Sequence, residues 1–176
     1  IQNYSSLYTT HLTSTENLFK NLINMDLSIN IINNWDLSNV TNANNMFNNN
    51  ILLNQSLEDF DISNITTMIG ILDNTGLSIQ NYNKTLEGWY NQSNKNYDVI
   101  VGVKNLKYDD NAKIYRDLLI SNYRWSFIGD IGPPEPFVCN RYARGIPLLF
   151  NSHNNYKQQS SRMRLAQRLR YNKNLR

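Results

Sequence analysis

The sequence predicts an α/β solenoid: short coils of about 25 residues stacked on one another, closed by an α+β C-terminal cap and followed by an extended basic tail. Three observations predict it. Two segments repeat at a fixed offset, a stretch of different periodicity follows them, and the charge divides near residue 130. The corresponding divisions are residues 1–75 for the repeats, 76–130 for the cap and 131–176 for a Pro-containing linker and basic tail.

The repeat comes first. "WDLSNVTNANNMF" (35–47) aligns with "FDISNITTMIGIL" (60–72) at an offset of 25 residues. Trp35, Leu37, Val40, Met46 and Phe47 fall on Phe60, Ile62, Ile65, Ile71 and Leu72, so apolar positions stay apolar. These ten residues are the expected repeat core. Asp36, Ser38, Asn39 and Thr41 fall on Asp61, Ser63, Asn64 and Thr66. A weaker copy, "YTTHLTSTENLF" (8–19), places Leu12, Thr13, Leu18 and Phe19 in register at an offset of 28. A period near 25 is short for paired helices and fits a leucine-rich-repeat coil. One such coil cannot bury its apolar face alone, so coils stack. Each is expected to hold a short extended piece, near 36–38 and 61–63. A short helical turn or helix should follow, near 41–48 and 66–72. Aligned Asn39 and Asn64 are expected to bond backbone groups across the turns, because buried polar backbone must be paired. Asp36 and Asp61 are read as turn residues rather than as a catalytic carboxylate pair.

The cap follows. Leu86, Trp89 and Tyr90 give helical spacing over about 79–91. "YDVIVGV" (97–103) reads as a strand. Asp109 or Asp110 caps a helix running to about Ser121, with Ala112, Tyr115, Leu118 and Leu119 inward. "YRWSFI" (123–128) reads as the closing strand.

These residues carry a resemblance. The pattern "WDLSNVTNANNMF" followed by "NQSL" (54–57) resembles the BspA-type leucine-rich-repeat surface proteins, the mycoplasma-lipoprotein-like repeat family. "GLSIQNYNKTLEGWY" (76–90) and "LKYDDNAKIYRDLLISNYRWSFIGD" (106–130) are similar to the unit that closes such arrays. The resemblance covers about 8–130. It departs at Phe60, which replaces the repeat Trp, at Ala43, where Met is usual, and in the degraded first copy. It implies a non-enzymatic body displayed at a surface.

The tail is of another kind. Residues 1–130 hold 8 Lys/Arg and 13 Asp/Glu, a net −5, whereas 131–176 hold 9 Lys/Arg and one acid, a net +8. The formal +3 conceals this division. "GDIGPPEPFVC" (129–139) carries three of the four prolines and reads as a linker. In "SSRMRLAQRLR" (160–170), Ser160 or Ser161 is a candidate N-cap. Leu165, Ala166 and Leu169 share a face ringed by Arg162, Arg164, Arg168 and Arg170. A helix of this length is marginal alone in water and orders on a partner. The four arginines are the expected acidic contacts, and Leu165 and Leu169 the apolar anchor. "YARGIPLLF" (142–150) is a second docking candidate. Three readings compete: a solvated tail, a docking peptide, and nucleic-acid or anionic-surface binding, for which Tyr142, Tyr156 and Tyr171 would supply stacking. The basic segment is similar to short C-terminal segments of large DNA virus structural proteins.

Composition narrows the rest. About one residue in six is Asn, consistent with AT-rich coding, while hydrophobic content is 40% and mean hydropathy is −0.55. No apolar run reaches the roughly 20 residues of a membrane helix. Residue 1 is Ile, so the chain reads as processed or as a fragment. The single Cys139 excludes an intrachain disulfide framework and a multi-thiolate zinc site. His11 and His153 lack neighbouring ligands, and no phosphate-binding glycine pattern follows "GDIGPP". Asp109–Asp110 reads as a cap, not a cation site. Sequons at Asn39, Asn54, Asn64, Asn83 and Asn91 follow from composition. No catalytic, cofactor or metal residue is expected. The expected function is a structural interaction protein, its repeat body anchored by the arm among other proteins of a larger assembly, a virus capsid; the expected location is the virion. The alternatives are a cell-surface adhesin or lipoprotein, and nucleic-acid binding through the tail.

Overall fold

In a computed structural model of the chain, residues 9–24 and 35–134 are described. The chain divides into two units, Ile1–Glu135 and Pro136–Arg176, and the described residues all lie in the first.

Among the described residues the chain lays down five parallel rungs: rung 1 (13–21), rung 2 (41–49), rung 3 (66–74), rung 4 (100–105) and rung 5 (126–131). Ser14 pairs with Asn42, Asn42 with Thr67, and Met68 with Val101. The first two registers equal the sequence offsets of 28 and 25. Rung 2 donates from the Ala43, Asn45, Phe47 and Asn49 amides to the carbonyls of Thr67, Ile69, Ile71 and Asp73, at 2.8–3.0 Å. Rung 1 donates to rung 2 in the same way from Thr15, Asn17, Phe19 and Asn21, at 2.8–3.0 Å. Rungs 4 and 5 contain strands β1 (Ile100–Gly102) and β2 (Ser126–Ile128), paired parallel with Val101 on Phe127. Parallel neighbours need a crossover, and helix α2 (Asp110–Tyr123) supplies it.

Local structure differs from the sequence reading within each repeat. The extended pieces expected near 36–38 and 61–63 are turns. Asp36 and Asp61 accept their own Ser38 and Ser63 amides at 3.0 and 2.8 Å, which competes with strand pairing. Extended backbone lies later, at Asn42 and at Thr67–Met68. Near 41–48 and 66–72 the chain forms turns closed by bonds three residues back, Met46 to Ala43 and Ile71 to Met68, and not a helix. Asn45 (φ 53°), Asn49 (φ 63°), Gly70 (φ 67°) and Asn74 (φ 58°) are left-handed, which interrupts a right-handed helix. The Asn45, Phe47 and Asn49 amides also serve the next rung, so they cannot bond four residues back.

The core runs through the stack. Nine of the ten expected core residues are buried: Leu37, Val40, Met46, Phe47, Phe60, Ile62, Ile65, Ile71 and Leu72. Trp35 is half-buried and packs on Phe19 at 5.5 Å between ring centroids. At the equivalent place Phe60 meets Phe47 edge to face, at 6.2 Å. Burying a side chain of this size contributes about 1.5–3 kcal/mol. Gly102 lies so close to the backbone of Gly70 that a Cβ there would overlap it.

Helix α1 spans Ile79–Asn91, capped by Ser78, whose hydroxyl accepts the Asn81 amide. It buries Tyr82, Thr85, Leu86 and Trp89. α2 is capped by Asp109 and runs two residues past the expected Ser121, to a left-handed Arg124. Its buried residues are Ala112 and Leu119; the expected Tyr115 and Leu118 are only half-buried. The end of α2 at Tyr123 shortens the closing strand to Ser126–Ile128.

Candidate functional site

The polar residues of the repeats serve the backbone first. Asn39 Nδ2 donates to the Thr10 carbonyl at 2.8 Å and Asn64 Nδ2 to the Ser38 carbonyl at 2.6 Å, each reaching one coil back. Asp36 and Asp61 make turns, and the Ser38 hydroxyl and amide hold the Asp36 carboxyl below the usual carboxylate range. Asn44 Oδ1 accepts from the Ile69 amide and the Thr67 hydroxyl at 2.7 and 2.8 Å. Asn50 is fully buried, its Oδ1 accepting the Leu22 amide at 2.9 Å.

A second set of asparagines forms a side-chain ladder along the stack. Asn105 Nδ2 donates to Asn74 Oδ1 (2.7 Å), Asn74 Nδ2 to Asn49 Oδ1 (2.8 Å), and Asn49 Nδ2 to Asn21 Oδ1 (2.8 Å). All four residues have positive φ, which Asn tolerates better than other side chains with a Cβ. Sequence reasoning missed this ladder. Its signal is an Asn two places after the second residue of each apolar pair: "LFKN" (18–21), "MFNN" (46–49), "ILDN" (71–74).

The cap attaches through polar side chains as well. The Leu57 amide donates to Thr85 Oγ1 at 2.9 Å, and the Ile62 amide to Gln92 Oε1 at 3.1 Å. Gln92 Nε2 donates to the Phe60 carbonyl at 2.8 Å. Beneath α1 and α2, Arg116 holds Asp130 through Nε (2.8 Å) and Nη2 (2.9 Å), and the Tyr82 hydroxyl donates to Asp130 Oδ2 at 3.0 Å. The Arg116 guanidinium lies between the Tyr108 and Phe127 rings, at 5.1 and 5.0 Å. Burial pushes the Tyr82 hydroxyl well above its ordinary value, and the Asp130 charge adds to this. Burial pulls the Arg116 guanidinium down, but the Asp130 hydrogen bond and charge outweigh it and raise it overall. The network ties α1, α2 and the end of rung 5 together.

The cap also carries a strip of tyrosines and cations. Tyr115 packs on Tyr90 and Tyr123 on Tyr97, with centroids at 5.9 and 5.5 Å. Lys95 Nζ lies 4.5 Å from the Tyr123 ring and 5.8 Å from Tyr90, and Arg124 lies over Tyr97 while pairing with Asp98. That pair is exposed on both sides; its hydrogen bond holds the Asp98 carboxyl below the usual range. Tyr and Arg are enriched where proteins contact one another, so this strip is a candidate contact surface.

The tail residues read as partner-binding, Arg162, Arg164, Leu165, Arg168, Leu169 and Arg170, lie outside the described residues, as do Cys139, His153 and residues 142–150. Asp109 caps α2, through the Asn111 amide at 2.9 Å. Among the described residues, no group of three or more His, Cys, Asp or Glu is placed to hold a metal ion, and no helix is long and apolar enough to cross a membrane.

The family model described as "Mycoplasma protein of unknown function, DUF285" matches residues 1–111. No curated protein and no solved structure matches the chain.

Proposed function

This chain belongs to the DUF285 family of Mycoplasma proteins of unknown function, and from that premise we propose that it is a non-enzymatic interaction protein displayed at a surface. In this reading the rungs are a short leucine-rich-repeat solenoid of the BspA-like kind, and the basic C-terminal segment holds the body in a larger assembly. The observation that carries it is the parallel pairing of rungs at the repeat offset, Ser14 on Asn42 on Thr67. In this reading the stacked rungs hold their exposed side chains at a regular spacing, where a partner can meet them. Binding then rests on shape and charge, with the arm losing entropy as it docks.

A second reading keeps the body and changes the place: a minor capsid component of a large DNA virus. The opposite charges of body and tail favour it, since a basic arm suits an acidic neighbour. The test replaces Arg162, Arg164, Arg168 and Arg170 together by Glu. The variant is expected to leave the envelope or particle fraction while its circular dichroism is unchanged. Retention in that fraction overturns the anchoring role. Protease treatment of intact cells separates the places: cleavage supports surface display, and protection with co-purification on particles supports the capsid.

A further inference from the structure

Tyr90 of α1, Tyr115 and Tyr123 of α2, and Lys95 and Tyr97 of the segment between α1 and β1 form one line on the cap. Tyr115 meets Tyr90, Lys95 reaches from Tyr90 to Tyr123, and Tyr123 meets Tyr97. Lys95 is therefore central, with two rings on either side. The line is held from beneath. Tyr90 and Tyr123 are half-buried against the core, and Lys95 Nζ donates to the Gln92 carbonyl and, at 3.5 Å, to the Tyr123 hydroxyl. Its far end is open, since Tyr97 is 56% exposed. Rings fixed in this way give contact area at a small cost in conformational entropy.

Charge along the line is uneven. At one end the Tyr115 hydroxyl donates to Glu87, and at the other Arg124 pairs with Asp98. At the centre, no carboxylate among the described residues forms an ion pair with Lys95. The ring faces attract its charge without neutralising it. An anion is the group this centre lacks. The rest of the chain is a poor source of one: outside the described residues only Asp26 and Glu135 are acidic, against nine Lys/Arg. A polyanion fits no better, because Glu87 and Asp98 stand at the two ends and repel it.

We propose that this line is the docking site for a short segment of another protein, with a single carboxylate at its centre and an aromatic residue on each side. The carboxylate meets Lys95, and the aromatic residues pack on the Tyr90–Tyr115 and Tyr97–Tyr123 pairs. Ring contacts give the apolar anchor, and the Lys95 charge sets the register. The inference rests on the reading of the chain as an interaction protein and adds what the partner presents.

The test titrates the full chain, isotope-labelled, with the end-blocked peptide FGDGF. Saturable shifts are expected at the Lys95 side chain and at the four tyrosine rings. The peptide FGNGF is expected to bind about fivefold more weakly. Lys95→Gln should abolish this preference and Lys95→Arg should keep it. Tyr97→Ser, at an exposed position where the fold is retained, should weaken both peptides about fivefold. No saturable shift on the line, or a preference for FGDGF that Lys95→Gln retains, overturns the proposal. Oligothymidylate that displaces FGDGF from the line would assign it to nucleic acid and overturn the proposal. The chain with Arg162, Arg164, Arg168 and Arg170 replaced by Glu covers the remaining occupant. Shifts of the same resonances in that chain without peptide would assign the line to the basic segment and overturn the proposal. Unchanged resonances and unchanged FGDGF binding are expected. Peptide binding and release from the envelope or particle fraction are separate readouts, so failure of one leaves the other standing.

Discussion

In rungs 1–3 the chain turns on asparagines: Asn17, Asn21, Asn45, Asn49 and Asn74 all adopt positive φ, and Asn39, Asn44, Asn50 and Asn64 bond neighbouring backbone. After residue 76 it turns mainly on capped helices, and its interior is held by Trp89 against Trp125, at 6.2 Å, and by the Arg116–Asp130 pair. The contrast follows from what each region must bury. A rung meets another rung, so its polar backbone finds partners at every step and short amide side chains suffice. A closing unit has to satisfy the last apolar face with groups that have no further rung to lean on. Bulky aromatics and a desolvated ion pair do so at higher stakes.

The largest expected effect lies in the closing unit. Asp130→Ala leaves Arg116 and the Tyr82 hydroxyl without their acceptor; the two ionic side chains are 16% and 3% exposed. Removing one partner of a buried pair costs about 3–5 kcal/mol. Denaturant unfolding should show it, and a loss under about 1 kcal/mol would mean that this pair does not hold the closing unit together. The next effect contrasts two equivalent rung positions. Met46→Ala, at a fully buried site, should cost about 2–5 kcal/mol, and Leu18→Ala, at a half-exposed one, under about 1 kcal/mol. Equal losses by the same measurement would mean that rung 1 is covered in solution. The smallest concerns a turn. Asn49→Ala loses two ladder bonds and places Ala at φ 63°, for about 1–3 kcal/mol. Asn49→Gly loses the same bonds without the Cβ strain, so it should be milder by about 1 kcal/mol. If the two were equally damaging, the backbone conformation would not matter there.

Much of this was legible at the level of spacing. The 25- and 28-residue offsets are the registers of the rungs, because a stack repeats its sequence wherever it repeats its contacts. The span of α1, the Asp109 cap and the cross-coil bonds of Asn39 and Asn64 were readable too, since helical spacing and capping are local signals. The position of extended backbone within each coil was not. β-Branched and apolar residues near 62 read as strand, yet the Asp61 turn fixes that segment locally and pairing begins only at Thr67. The ladder of Asn21, Asn49, Asn74 and Asn105 stayed hidden because Asn is so common here that its alignment did not stand out. The Tyr–Lys strip was hidden for a different reason: it joins Tyr90, Lys95, Tyr115 and Tyr123 through folding, not through sequence proximity.

The direction of the inter-rung bonds has a mechanical consequence. Alternate amides and the ladder side chains bridge from rung to rung, so tension pulling the rungs apart loads the bonds of each interface together. Such an array extends stepwise, yielding first at its weakest interface while the others hold, as quasi-one-dimensional stacks do when they unfold. Pulled along the stack, the body would lengthen one coil at a time, each opened interface leaving its neighbours' bonds intact.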